Sequence, residues 1–433
     1  MECCNVIPIG DKLRRLRDKY NLNQDEIVGT DVTRNLISQI ENGKAKLTRS
    51  TAEIIMSHVK EILNKRNMTP DIDIEYLLES EETQANKILD EFIEELKNSI
   101  SNNATSVVDT LKQAEEFMLK WDFIDKKIRI CELAGDYFYN NNDFYKASVY
   151  YENVKCLVNL NMDMVLLVPV LKKLSETYFY IGKYQEGIDV CDYAIDRFPK
   201  IDNGYKAGFL FNSSLYYNYM KEYEKSIRFI EELQGILNKD SVEKYIKILL
   251  LKASCLYHLK LYDEALKIYG ELLEVTPNDD YGHKAIYYNN LSDIYIELEK
   301  LDKANEYLNM ALEIIPDISM DFDMLPQMHL DIAKRYTKLA QRENTISFLK
   351  KALKLAKDFR YSFVVNDILV EFLHISHCEA EIDIKDEFIE LVRELGSIND
   401  LLLVNILQYF AALNDTNSVI EICEFCKGYL ENI

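Results

Sequence analysis

The residues best suited to chemistry lie close together: Thr33, Arg34, Asn35, Ser38, Gln39 and Asn42, between Val32 and Lys44. On a helix turning about 100° per residue, Arg34, Asn35, Ser38, Gln39 and Asn42 share an arc of about 140°, and Leu36, Ile37 and Ile40 take the opposite arc. Thr33 can cap the start of that helix, and Gly43 can end it in the left-handed conformation. Carboxamides donate and accept in pairs, and a guanidinium presents a fork of donors. Together on one short helix they suit the edges of bases in a major groove. Taken alone, the pattern also fits an ordinary amphipathic surface helix.

The flanking chain favours the base-reading alternative. Asp11 to Tyr20 reads as a basic helix with Leu13 and Leu16 inward and Arg14, Arg15, Arg17 and Lys19 alongside. Asn23 and Glu26 form a capping-box pair that would open a short second helix from Gln24 to about Val28. Gly29-Thr30-Asp31 is a turn, Thr33 opens the third helix, and Ser50 with Glu53 would cap a fourth that runs to about Leu63. Ile9-Gly10-x-x-Leu13-x-x-Leu16-Arg17, Leu22-x-Gln24-x-Glu26-Ile27 and Ile37-Ser38-x-Ile40-Glu41-Asn42-Gly43-Lys44 resemble the Cro-like (XRE) helix-turn-helix family. That resemblance implies that Thr33, Arg34, Asn35, Ser38 and Gln39 face the major groove and that Gln24, Asn42 and Lys44 hold phosphates. It also implies that Arg17 and Glu41 form an internal salt bridge. The stretch from Gln24 to Arg34 is one residue shorter than is common there, which bears on the angle between the second and third helices.

Composition sets the frame. Only 13 Gly and 7 Pro in 433 residues, with 48% hydrophobic residues, favour long helices over strands and turns. No apolar run reaches the ~20 residues of a membrane helix, and no basic-then-apolar leader opens the chain, so a cytoplasmic protein without membrane partners is expected. The nine Cys, an odd number, read as reduced thiols. The net charge is −22, but residues 1–70 hold twelve Lys and Arg against nine Asp and Glu, a net +3, which leaves −25 on the remainder. Phosphates would be repelled by the body and accepted by the head.

Beyond Thr69-Pro70-Asp71, taken as a domain boundary, a helix from about Asp73 to Lys97 is expected, then a polar break at Asn98 to Asn103. Repeats follow. A residue pair spaced by three recurs at Phe144/Ala147, Tyr184/Gly187, Tyr223/Ser226, Tyr262/Ala265, Leu301/Ala304 and Arg342/Thr345, in steps of 39 to 41. Six positions upstream stand Phe138, Tyr178, Tyr217, Leu256, Tyr295 and Tyr336, and ten downstream Val154, Ala194, Leu233, Leu272, Ala311 and Ala352. Pro199, Pro277 and Pro316 would end second helices. A small residue facing an aromatic one at fixed spacing suits paired antiparallel helices. The pattern resembles tetratricopeptide repeats with a period longer than the usual ~34 residues; a HEAT-like solenoid is the alternative. Tyr361 to Leu395 and Leu401 to Ile433 would add two pairs, and residues 105–127 one more before the first clear repeat.

The expected fold is all-α: a helix-turn-helix domain (1–70), a linker helix and helical cap (71–127), and a right-handed tetratricopeptide-like superhelix (128–433) that binds peptide and dimerises. The concave wall would come from first helices and include Tyr139, Lys172, Lys173, Glu176, Tyr180, Asn212, Tyr219, Tyr257, Asn289, Asn290, Asp293 and Lys334. Asparagine amides suit an extended peptide, since each can both donate and accept; solvated polar faces are the plainer reading. No phosphate-cradling glycine loop is present. His374-x-x-His377-Cys378 lacks partners at a metal-site spacing, so no metal, cofactor or catalytic residue is assigned and no enzyme is expected.

A Cro-like head joined to such repeats resembles the RRNPP family (Rap, Rgg, NprR, PlcR, PrgX), the peptide-responsive quorum-sensing regulators of Gram-positive bacteria. The resemblance implies a cytoplasmic homodimer that binds a double-stranded operator under control of a short linear signalling peptide. The alternative it leaves open is a repeat protein that sequesters or dephosphorylates a response regulator, with peptide as inhibitor.

Overall fold

The computed structural model describes residues 5–28, 32–102, 106–158, 164–236, 242–375, 382–395 and 398–431, and among them all regular structure is helical. The chain divides into two compact units, residues 1–133 and 134–433.

The first unit opens with α1 (Ile9–Lys19), α2 (Arg34–Glu41), α3 (Arg49–Lys65) and α4 (Ile74–Leu78). Leu13 and Leu16 of α1, Ile37 and Ile40 of α2 and Ile55, Val59 and Leu63 of α3 close on one core. Gly10 makes the α1–α2 approach possible: a Cβ there would lie 2.5 Å from the Ile40 carbonyl oxygen. The expected second helix does not form. The Asn23–Glu26 capping box is present, with Asn23 N donating to Glu26 at 2.7 Å and Glu26 N to Asn23 at 3.0 Å. It closes a single turn, and the chain leaves it by Ile27, which is needed in the core. The turn expected at Gly29-Thr30-Asp31 lies outside the described residues. The cap of α3 is Thr48, which accepts from Thr51 N at 3.2 Å, rather than Ser50.

Pro70 is not a boundary of packing. Asp71 accepts from Tyr20 Oη at 2.5 Å and pairs with Lys19, and Leu77 of α4 is fully buried in the head's core. The single helix expected from Asp73 is broken at Glu79 and Ser80, each helix taking its own cap: Asp73 for α4, Ser80 for α5 (Glu81–Ser101). Next comes α6 (Val107–Met118), with Phe117 against Phe92 of α5 at 6.0 Å. The division between units falls within α7 (Ile124–Asn140).

In the second unit each anchor residue opens a helix. The pairs continue with α8 (Phe144–Leu157), α9 (Met164–Tyr180), α10 (Tyr184–Arg197), α11 (Asn203–Tyr219), α12 (Tyr223–Ile236) and α13 (Val242–His258). Then come α14 (Tyr262–Val275), α15 (Tyr281–Glu297), α16 (Leu301–Ile314), α17 (Leu325–Lys338) and α18 (Arg342–Asp358). Last are α19 (Ser362–His374), α20 (Ile384–Leu395), α21 (Asp400–Ala412) and α22 (Thr416–Glu431). From α9 to α14, first helices of 17 residues and second helices of 14 account for the long period.

From α7–α8 through α17–α18 the helices within a pair are joined by three residues, and the middle one is left-handed: Asn142, Gly182, Lys221, Lys260, Glu299 and Ala340 have φ between 57° and 74°. This is the Schellman stop. The residue after it donates its N–H to the carbonyl of Phe138, Tyr178, Tyr217, Leu256, Tyr295 or Tyr336, at 2.8 to 2.9 Å. The position six before each anchor, aromatic in five of the six, is thus the acceptor of the turn's closing bond. The small residues are buried as expected: Ala147, Ser226, Ala265 and Ala304 are fully enclosed. Gly187 shows why: a Cβ there would come 2.5 Å from the Tyr216 ring.

The array returns on itself. Tyr180 stacks on Phe144 at 3.9 Å and lies 5.5 Å from Phe363, and Asn142 Nδ2 donates to Phe359 O at 2.7 Å.

Candidate functional site

Two surfaces gather polar and charged side chains, one in each unit.

In the head, α2 is short, so its register depends on its ends. Thr33 Oγ1 accepts from Leu36 N at 3.3 Å at the start. At the far end Gly43 has φ +69°, and Asn42 Nδ2 donates to Ser38 O at 2.7 Å. The helix is also pinned from beneath. Glu41, 6% exposed, accepts from Arg17 Nε at 2.5 Å, Arg17 Nη2 at 3.1 Å and Gln24 Nε2 at 2.8 Å. That hydrogen bond and charge hold the Arg17 guanidinium above its ordinary value. The salt bridge expected between Arg17 and Glu41 is therefore present. Arg14 Nη2 adds a bond to Glu41 O at 3.2 Å.

The residues expected to meet DNA divide into two groups. Thr33, Arg34, Asn35, Gln39 and Lys44 are exposed, and Ser38 is half-buried. Arg34 pairs with Asp25 at 3.2 Å, both about two-thirds exposed; such a pair is worth roughly 0–1 kcal/mol and is readily exchanged. Gln24 and Asn42 spend amide N–H groups on Glu41 and on the helix end, so both help to hold α2 in place. Sequence reading passed over Lys12. It is fully buried, and its Nζ donates to Tyr76 O at 2.8 Å and Glu79 O at 3.1 Å. Burial lowers its pKa, against the pull of Glu79.

The second surface is a cavity of about 500 Å³ lined mainly by α9, α11 and α13. Of the expected wall residues, Tyr139, Lys172, Glu176, Tyr180 and Asn212 line it. Glu176 accepts from Lys172 and from Tyr139 Oη, the latter at 3.3 Å. Burial and the Glu176 charge push the Tyr139 phenol far above its usual range, so it stays a donor. Asn212 Nδ2 donates to Ser175 Oγ at 2.8 Å. The remainder of the lining is apolar or small, with Gly204, Ala207, Gly208, Phe211, Leu215 and Ile248, and carries Lys244 and Lys247.

The other expected wall residues do not line this cavity. Lys173 turns to Asp136 at 2.6 Å, between α9 and α7. Asp293 holds Arg335 at 3.1 Å and Lys338 at 2.6 Å, and Lys338 also reaches Tyr257 at 3.2 Å. Tyr257 and Asp293 therefore tie successive first helices together. Asn289 is 2% exposed, with no partner for its Oδ1, and Asn290 is engaged with Tyr269. Lys334 lies 3.9 Å from Glu371. Tyr219, 44% exposed, sits edge-on to Phe179 at 5.0 Å. The small stripe on α11 was missed because glycine and alanine carry no chemistry of their own; the available signal was two glycines four apart in a first helix.

His374 ends α19, while His377 and Cys378 lie outside the described residues, as do Cys3 and Cys4. Among the described residues no group of three or more His, Cys, Asp or Glu could hold a metal ion, and no helix is long and apolar enough to cross a membrane.

Comparison with known proteins agrees with the repeat geometry. A family model for the tetratricopeptide repeat matches residues 245–317. The chain is 26% identical over 236 residues, 54% of its length, to response regulator aspartate phosphatase E of Bacillus subtilis. It is 27% identical over 210 residues, 44% of its length, to a tetratricopeptide repeat-containing protein of Methanocaldococcus jannaschii. It spans about half the length of the first of these relatives, 52%, and 36% of the second. Among solved structures, a Rap protein complexed with competence and sporulation factor is 15% identical, with a TM-score of 0.48, over 80% of this chain and 99% of that one. The quorum sensor NprR from B. thuringiensis is 17% identical, with a TM-score of 0.44, over 80% and 99%. PlcR of Bacillus thuringiensis, in complex with a peptide and DNA, is 12% identical, with a TM-score of 0.31, over 70% and 99%.

Proposed function

We propose that this protein is a cytoplasmic, homodimeric transcription regulator whose operator binding is set by a short peptide held on the inner face of the repeats. The observation that carries the reading is the exposed arc of Arg34, Asn35 and Gln39 on a helix clamped by Arg17, Gln24 and Glu41. A clamp of that kind fixes donors and acceptors before DNA arrives, which suits bidentate contacts to base edges worth about 1–3 kcal/mol each. The helix end supplies Lys44 for phosphate. Two such heads would read a two-fold site with half-sites about 34–36 Å apart or a multiple of that. Peptide acts only through its different affinity for the two arrangements of the heads.

The test is binding selection from host genomic DNA followed by gel-shift titration. Arg34→Ala and Gln39→Ala should each lose sequence preference by about tenfold or more with an unchanged circular dichroism melt. Operator affinity equal to the parent's in both variants rejects the reading. A second reading, a protein that sequesters or dephosphorylates a response regulator, draws on the resemblance to response regulator aspartate phosphatase E. It predicts capture or accelerated dephosphorylation of a phosphorylated response regulator, with no DNA selected.

A further inference from the structure

The lining of the cavity is richer in lysine than in carboxylate. Lys172, Lys244 and Lys247 line it against one carboxylate, Glu176, in a protein of net charge −22. Glu176 is already satisfied by Lys172 and Tyr139. Lys247 rests on Glu243 at 2.8 Å, with 51% and 71% of the two side chains exposed, a pair that another carboxylate can replace at little cost. Lys244 stands one turn from Lys247 on α13, and Lys172 comes from α9. Between them α11 presents Gly204 and Gly208. A Cβ at Gly208 would lie 3.1 Å from Lys172 Cε, so the glycine lets the lysine stem lie along the helix. The floor is apolar, with Phe211, Leu215 and Ile248. Repulsion from the acidic exterior is screened over ~8 Å at physiological salt, so the local lysines govern the cavity.

Resting on the peptide-binding reading, we infer that this cavity selects an apolar segment next to a carboxylate. A large aliphatic or aromatic side chain occupies the floor, and Lys172, Lys244 and Lys247 hold the acid. That acid is either the peptide's C-terminus or an Asp or Glu side chain beside the apolar residue.

The test is calorimetry on the full chain with four pools of pentapeptides built from Leu, Ile, Phe, Ala and Gly. The first pool is acid-free and amidated, the second ends in a free carboxylate, the third is amidated with one Asp, and the fourth is amidated with one Lys. One or both acidic pools should bind about tenfold more tightly than the neutral pool, the weight of one charge-assisted hydrogen bond. Whichever of the two gains identifies the source of the carboxylate. Lys172→Met with Lys247→Met should bring the acidic pools down to the neutral level, and Gly208→Leu should weaken all binding by filling the floor. Lys247→Met alone, at an exposed side chain, should retain folding and lose part of the gain. Equal binding of neutral and acidic pools, or tighter binding of the lysine pool, overturns the inference and leaves peptide binding standing. No binding of any pool overturns both.

Discussion

Removing the Glu41 carboxylate gives the sharpest test of how the head is held. Glu41→Ala deletes the acceptor of three donors, two from Arg17 and one from Gln24. The Arg17 side chain is 13% exposed and that of Glu41 3% exposed. Breaking a buried pair by removing one partner costs about 3–5 kcal/mol, because the remaining charge stays desolvated. Arg17 keeps a bond from Nη1 to Leu22 O at 2.9 Å, which puts the expected loss near the lower end, ~3 kcal/mol, or roughly a hundredfold in local opening. Native-state hydrogen exchange on the full chain reads this directly in the amides of α2. Adding Arg17→Met to Glu41→Ala should recover part of the loss, since the stranded charge goes too. A loss under about 1 kcal/mol, or no recovery in the double variant, would refute the buried ion pair as what holds α2.

Two further outcomes are expected. Gly187→Ala should destabilise the repeat unit by about 1–3 kcal/mol in urea unfolding, because the new Cβ meets the Tyr216 ring at 2.5 Å. Tyr216→Leu on that background should cost less than the sum of the single changes, and strict additivity would count against the contact. His329 is 7% exposed, its Nδ1 lies 2.9 Å from Leu325 O, and burial lowers its pKa below the ordinary 6.5. The unfolded chain then binds the proton more readily, so this stability is present above about pH 6.5 and is lost as pH falls through the lower folded value. Unfolding measured between neutral and mildly acid pH should show that slope, flattened in His329→Gln; an equal slope in the variant assigns the loss to other groups.

The sequence by itself determined what is local or periodic. The arc of α2 was legible because helical geometry sorts side chains at a fixed angle, and Ile37 and Ile40 are buried while Arg34, Asn35 and Gln39 are exposed. The repeat boundaries were legible because each small residue must admit a neighbouring helix, and so the anchors open α8, α10, α12, α14, α16 and α18. The turns were not legible from turn chemistry. Of the six left-handed residues joining α7–α8 through α17–α18, only Gly182 is a glycine, and the Schellman bond to the position six before each anchor stabilises the rest. Tertiary structure decided which polar residues are available. Lys12, Lys173, Tyr257 and Asp293 look like surface chemistry in the sequence, yet each is consumed by a partner 37 or more residues away. It also decided that Gln24–Val28 forms a turn, because Ile27 must reach the core, and that Pro70 lies inside a folded unit, because Asp71 and Leu77 are bound to the head. The cavity follows the same rule: its lysines, glycines and apolar floor come from three helices and meet only when the repeats stack.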